Sequence, residues 1–223
     1  MRRALLAFVS LLSVIATEAI AEDDFDYAPY KERERVVDYN NAAYMLEHNR
    51  RYAIQILDCS NADPEFYEAL PESITPVSNY KELPEAFRGT DRDFKRAKKK
   101  LPLYVLKSVT SGYERECKVG GFGDDIKEFD RQYKSWKSYN SYMSSHIGYY
   151  GMIRRLIACN SEQDYDEEIE QLSSIMKAAR IEDVPDDFMV ANHEQREIWN
   201  DEVDDLYEEV RSKMRKCERQ KRQ

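Results

Sequence analysis

Four cysteines form the clearest chemical pattern in this chain. They are Cys59, Cys117, Cys159 and Cys217, so successive separations are 58, 42 and 58 residues. An even number of cysteines in an exported chain predicts two disulfides. The equal outer separations favour Cys59–Cys117 with Cys159–Cys217, and the alternative is Cys59–Cys159 with Cys117–Cys217. No C-x2–4-C or H-x3–5-H unit accompanies the cysteines, so we expect neither a metal site nor another cofactor.

Aromatic side chains and one histidine recur at helical spacing within residues 124–160. The members of this group are Trp136, Tyr139, Tyr142, His146 and Tyr150. A stripe of this kind is typical of a packed core. The alternative is an aromatic pocket for a small ligand, with the stripe forming one wall.

Known catalytic patterns are missing from the sequence. His193-Glu194 lacks the second histidine of a zinc-protease motif, and no G-x-S-x-G nucleophile elbow occurs. The glycines of 120–123 do not have phosphate-loop spacing, and the acidic stretch 160–171 lacks the glycine and final carboxylate of a calcium loop. We therefore expect no enzyme, and a hydrolase without a recognisable motif is the weakest alternative.

A basic cluster lies near the middle of the chain. The segment 88–100 has seven basic residues, of which Lys95, Arg96, Lys98, Lys99 and Lys100 form the densest group. Such clusters bind heparin-like polyanions or anionic lipid, and a solvated link between helices is the alternative. Because the whole chain has a formal charge of −9, we expect no nucleic-acid partner.

Acidic residues concentrate in the second half of the sequence. Residues 161–210 contain 18 acidic and three basic side chains, whereas 211–223 contain seven basic and one acidic. A solvated helix face is one explanation of this acidic block. The electrostatic field of so many carboxylates also steers cationic partners towards the protein. The functional interpretation is the binding of a basic partner protein.

The composition predicts which elements position these residues. With 7 Gly and 7 Pro in 223 residues, the chain lacks the turns of a β-sandwich or barrel and the glycine loops of a nucleotide-binding α/β fold. Its 42% apolar and 12% aromatic content excludes a disordered chain. The predicted fold class is all-α, a helical bundle stapled by disulfides.

Apolar residues that recur at steps of three and four place the helices. The predicted helices cover 32–61, 101–119, 124–160, 164–180 and a last helix that begins at 184–187 and runs through Cys217. An irregular Pro-containing connection is predicted over 64–89. Val105 and Val109 leave a strand as the alternative over 101–119. The inward stripe of the last helix is Trp199, Val203, Leu206, Val210, Met214 and Cys217.

A shift of 100 residues superimposes one cysteine pair on the other. The same shift places residues 52–59 on 152–159, and a shift of 101 places Leu83-Pro84 on Val184-Pro185. These matches predict two tandem helical repeats, 22–120 and 121–223. Helical periodicity shared by unrelated segments is the alternative.

The N-terminus has the form of a secretory signal peptide. Arg2-Arg3 precedes an apolar run over 4–16, and Ala19-Ile20-Ala21 offers a cleavage site. The run is too short to span a bilayer permanently, and no later segment is longer. Cleavage of 1–21 removes two Arg and one Glu, which leaves 202 residues with a formal charge of −10. We expect a protein without a transmembrane segment that is secreted, or periplasmic in a bacterium.

These features lead to three functional hypotheses. The first is a secreted helical interaction protein of inhibitor or effector type that binds a basic partner through an acidic helical face. The second is a secreted carrier that holds a small ligand in the aromatic pocket. The third is the hydrolase without a recognisable motif.

Overall fold

The computed structural model describes residues 28–103, 105–113, 117, 123–159, 170 and 174–221. All regular structure in these ranges is helical, with no strand, which confirms the predicted all-α class. The predicted signal peptide 1–21 lies outside the described residues, as does most of the predicted helix 164–180. In the part of the chain that is described, no helix has the length and apolar character needed to cross a membrane.

Three long helices dominate the fold. They are α1 (Ala28–Ser60), α6 (Asp124–Cys159) and α8 (His193–Lys221). The short helices are α2 (Pro64–Glu68), α3 (Glu85–Arg88), α4 (Asp91–Lys98), α5 (Val105–Thr110) and α7 (Asp186–Val190). Single turns of 3₁₀ helix at Tyr80–Glu82 and Ile181–Asp183 precede α3 and α7. The helix predicted over 101–119 is shorter in the structure, where α5 ends at Thr110. The start predicted for the last helix at 184–187 is also wrong, because Ala191 has a ψ of 138° and separates α7 from α8.

The end of α1 follows from its sequence. Asn61 has a φ of 50°, in the left-handed region that stops a helix. The N–H of Ala62 then donates to the Leu57 carbonyl at 3.0 Å, which satisfies a carbonyl of the last turn. Pro64 begins α2, where its missing N–H costs nothing. The observed end at Ser60 agrees with the predicted end near 61.

The buried side chains form four clusters. In the first, Tyr44 of α1 and Trp136 of α6 pack with Phe188 of α7. The second joins α6 to α8 through Ile153, Leu156 and Val210, whereas the third and fourth join α1 to the segments around α3, α4 and α5. Helix α1 therefore contributes to three of these clusters and links the two halves of the chain.

The segment 175–180 is not helical, and we call it the extended segment. The predicted helix 164–180 is therefore wrong over these residues. The Ala178 carbonyl accepts hydrogen bonds from Trp136 Nε1 at 3.0 Å and Asn140 Nδ2 at 3.1 Å. The Ala179 carbonyl accepts from Asn40 Nδ2 at 2.8 Å. Side chains of α1 and α6 thus satisfy carbonyls that a helix would satisfy itself. Both alanines are buried, because only small side chains fit this path between the helices.

Each disulfide closes one half of the described chain. Cys59 is bonded to Cys117 and Cys159 to Cys217, with Cα–Cα distances of 5.8 and 6.2 Å. Both distances lie within the usual range for disulfides. We refer to residues 28–117 as the first half and to residues 123–221 as the second half.

The two halves contain matching aromatic contacts. Tyr39 of α1 meets Phe87 of α3 edge-to-face, with ring centroids 4.9 Å apart. Tyr139 of α6 meets Phe188 of α7 in the same arrangement at 5.2 Å. In both halves a 3₁₀ turn, a buried Leu or Val and a Pro precede the short helix that carries the phenylalanine.

Candidate functional site

Helix α8 presents the acidic surface. Its buried side is a seam of Val203, Val210 and Cys217, flanked by the half-buried Trp199 and Tyr207. This seam packs on α6, and Trp199 also stacks on Phe188 of α7. The acidic residues of 194–209 lie outside this seam and are exposed.

Leu206 does not belong to the inward stripe, contrary to the sequence prediction. Its side chain is 43% exposed, and Tyr207 takes the inward position between Val203 and Val210. Steps of four and three from Val203 lead to 207 and 210, so the seam continues without Leu206. The leucine therefore lies at the border between the seam and the acidic side.

One face of α8 combines exposed acidic and apolar side chains. Positions 198, 202, 205 and 209 step by four, three and four, which places them on the same side of the helix. Ile198 and Leu206 are 45% and 43% exposed among the carboxylates. We define the α8 acidic face as Glu194, Ile198, Asp201, Glu202, Asp205 and Leu206. Val190, at the end of α7, adds a third exposed apolar side chain near the start of α8.

Ion pairs neutralise one end of α8 and leave the other charged. Glu208 pairs with Arg211 and Glu209 with Lys213, each at 2.8 Å. The hydrogen bond from Lys213 lowers the pKa of Glu209. Within the described part of the chain, Asp201, Glu202 and Asp205 form no ion pair. The acidic residues between 162 and 168 lie outside the described residues.

The basic cluster forms the end of α4 and the residues after it. Thr90 and Asp93 cap the helix reciprocally, and these hydrogen bonds lower the pKa of Asp93. Lys98 pairs with Asp38 of α1 at 3.2 Å, and Arg96 lies 3.9 Å from Asp93. Lys95, Lys99 and Lys100 are exposed. Basic side chains at the end of a helix also complement its dipole, so part of this cluster has a structural explanation.

Four of the five residues of the predicted aromatic pocket divide between two clusters. Trp136 is buried in the first cluster, where Tyr139 and Tyr142 pack beside it. His146 meets Tyr142 edge-to-face at 4.5 Å, and burial lowers the pKa of its imidazole. Tyr150 belongs to the second cluster. Five clefts on the described part of the molecule are lined by other residues.

One of these clefts was not evident from the sequence. It has a volume of about 250 Å³ and lies where α1, α6 and the extended segment meet. Its lining comprises Tyr30, Arg33, Glu34, Ser144, Ile147, Gly148, Met176 and Lys177. These residues come from three distant stretches of the chain, so no local spacing marks them as a group.

Metal chemistry has no support in the described residues. No group of three or more His, Cys, Asp and Glu side chains among them is arranged to hold a metal ion. His48 lies 3.5 Å from Asp130, and His193 lies 3.8 Å from Glu197. These two histidines therefore each lie beside one carboxylate, which is fewer ligands than a metal site needs.

Similarity to other proteins gives no guide to the partner of this chain. Comparisons with protein-family models, with curated proteins and with solved structures find no match. The charge, exposure and packing of its own side chains are therefore the basis for a functional assignment.

Proposed function

We propose that this chain is a secreted helical interaction protein, of inhibitor or effector type, that binds a basic segment of a partner protein. The binding surface is the α8 acidic face. The observation that carries the proposal is that the unpaired carboxylates of Asp201, Glu202 and Asp205 lie beside the exposed Ile198 and Leu206. A merely solvated helix face would not need the two apolar side chains.

The two kinds of side chain have different parts in binding. Unpaired carboxylates attract a basic segment from a distance and orient it, which mainly raises the association rate. Ile198 and Leu206 supply apolar area that the partner removes from water, which slows dissociation. The matching partner is an amphipathic helix with apolar residues on one side and Lys or Arg beside them.

Secretion is part of the proposal. The N-terminal sequence has the charged, apolar and small-residue parts of a signal peptide. Two disulfides are stable in the extracellular space or the periplasm, whereas reducing compartments disfavour them. We place the mature protein in one of these oxidising compartments.

We also propose that the two halves are tandem copies of one helical unit. The matching Tyr39–Phe87 and Tyr139–Phe188 contacts support this proposal, as do the two disulfides of equal sequence separation. Asn40 and Asn140, also 100 residues apart, both donate hydrogen bonds to the extended segment at 178–179. On this proposal α8 corresponds to the segment that contains α4 and α5.

The binding proposal is tested with a synthetic amphipathic helical peptide of Lys and Leu, titrated against the full-length mature protein. We expect the D201N/E202Q/D205N variant to bind about tenfold more weakly than the wild type at low salt. The wild-type affinity should also fall between about 0.1 M and 1 M salt, because the Debye length shrinks from about 10 to 3 Å. Isothermal titration calorimetry measures both effects.

A matched control separates local from overall charge. The E65Q/E68Q/E72Q variant removes the same number of charges at exposed positions in and after α2. It should change the affinity less than twofold, whereas L206S should weaken binding without altering its salt dependence. Equal losses in the two triple variants, or wild-type binding that salt does not change, would overturn the proposal.

A further inference from the structure

A cleft at the junction of the two halves combines an apolar wall with charged side chains. Ile147 and Gly148 of α6 and Met176 of the extended segment form the apolar part, and Tyr30 of α1 closes one side. Tyr30 also packs on the second hydrophobic cluster, which fixes this side of the cleft. The volume of about 250 Å³ is below the roughly 300 to 1,000 Å³ of pockets for drug-sized molecules. The cleft therefore suits a small ligand.

Two cations and one carboxylate line the same cleft. Lys177 Nζ lies 3.2 Å from Glu34 Oε1, and the lysine side chain is 16% exposed while that of Glu34 is 65% exposed. Arg33 donates to the Ser78 carbonyl at 3.2 Å and forms no ion pair with any described residue. The side chains that line the cleft therefore have a net positive charge, although the whole chain has a formal charge of −9.

We propose that this cleft binds a small amphipathic anion. Its aromatic or short aliphatic body lies on Ile147 and Met176, and its carboxylate or sulfonate group is held by Lys177 and Arg33. Glu34 holds the ammonium group of Lys177 at the cleft but also repels an anion. This site is independent of the α8 acidic face, which attracts ligands of the opposite charge.

Isothermal titration calorimetry of the full-length mature protein with benzenesulfonate, an aromatic anion small enough for the cleft, tests the proposal. Lys177→Met should weaken binding about tenfold because it removes the nearest cation. Glu34→Gln should strengthen binding about threefold because it removes the repelling carboxylate. Ser144→Trp, at an exposed position of the lining, should abolish binding by filling the cleft.

Controls distinguish the cleft from other surfaces and from loss of folding. Lys99→Met makes the same charge change at an exposed position outside the cleft and should leave the affinity unchanged, as should L206S on α8. The neutral analogue benzyl alcohol should bind K177M as well as it binds the wild type. If S144W fails to fold, the weaker binding expected for K177M and the stronger binding expected for E34Q still test the proposal. Equal affinities of K177M and K99M, or undiminished binding by folded S144W, would overturn the proposal.

Discussion

Asn40 in the first half and Asn140 in the second half, 100 residues apart, make different numbers of hydrogen bonds. Asn40 is fully buried and exchanges two hydrogen bonds with the Val77 backbone, at 2.7 and 2.8 Å, while it also donates to Ala179. Asn140 donates to Ala178, but its Oδ1 is buried without a partner among the described residues. Asn40 therefore holds extended segments of both halves, whereas Asn140 holds a segment of its own half. Of these two asparagines, only Asn40 therefore links the two halves through its hydrogen bonds.

The halves also differ on their outer surfaces. After the shared Tyr–Phe contact, the first half continues as the short α4 and α5, with a basic cluster at the end of α4. The second half continues as one helix of 29 residues, α8, with exposed carboxylates. The Tyr–Phe contacts of the interior are therefore alike in the two halves, whereas the exposed charges on α4 and α8 are opposite in sign. This contrast is what we expect where packing constrains the interior and different partners constrain the surface.

Removal of either disulfide should cause the largest loss of stability, and the two losses compare the halves directly. Each bond spans 58 residues, so C59A/C117A and C159A/C217A should each lower the free energy of unfolding by about 4 kcal/mol according to the chain-entropy relation. Urea denaturation measures both losses. Losses that differ by more than about 2 kcal/mol would show that the two halves are not equivalent in stability.

Substitution of Asn40 or Asn140 should cause a loss of stability of intermediate size, and the loss should be larger at Asn40. Asn40→Ala leaves three backbone groups without their partner, the buried Ala179 carbonyl and the half-buried N–H and carbonyl of Val77, and should cost roughly 3 kcal/mol. Asn140→Ala should cost about 1 kcal/mol. Asn200→Ala in α8 is the control and should change little, because the Asn200 side chain forms no hydrogen bond with any residue that the structure describes. Equal losses at positions 40 and 140 would contradict the proposed role of Asn40 at the junction.

Substitution of His146 should have the smallest effect on stability. The residue 100 positions earlier is Leu46, which is fully buried, so His146→Leu makes the second half resemble the first. Burial lowers the pKa of His146 from its ordinary 6.5, so below that pH the unfolded chain binds a proton that the folded chain does not. The wild type should therefore lose stability relative to H146L as the pH falls from about 7 towards 5. Melting curves of the two proteins that stay parallel over this range would contradict the expectation.

The long helices could be predicted because their signal is local. The predicted ranges 32–61 and 124–160 compare with Ala28–Ser60 and Asp124–Cys159 in the structure. Apolar residues at steps of three and four, Asn61 with Pro64, and the scarcity of glycine mark these helices without any knowledge of their neighbours. Local periodicity also predicted most of the inward stripe of α8.

Two features could not be predicted because distant residues determine them. The chain at 175–180 has helical spacing in its sequence, yet Trp136, Asn140 and Asn40 take its carbonyl hydrogen bonds. Likewise, Leu206 fits a helical stripe as well as Tyr207 does, and the position of α6 decides which of them is buried. Sequence spacing gives the faces of a helix but not which face another element covers.

The sequence by itself determined the helical class and an even set of cysteines at matching separations, because composition and spacing act along the chain. The tertiary structure decided how the cysteines pair and which apolar residues stay exposed on α8. It also decided that Arg33, Ser144 and Lys177 share one cleft. Packing between segments that are far apart in the sequence sets these features, so no pattern within a single segment records them.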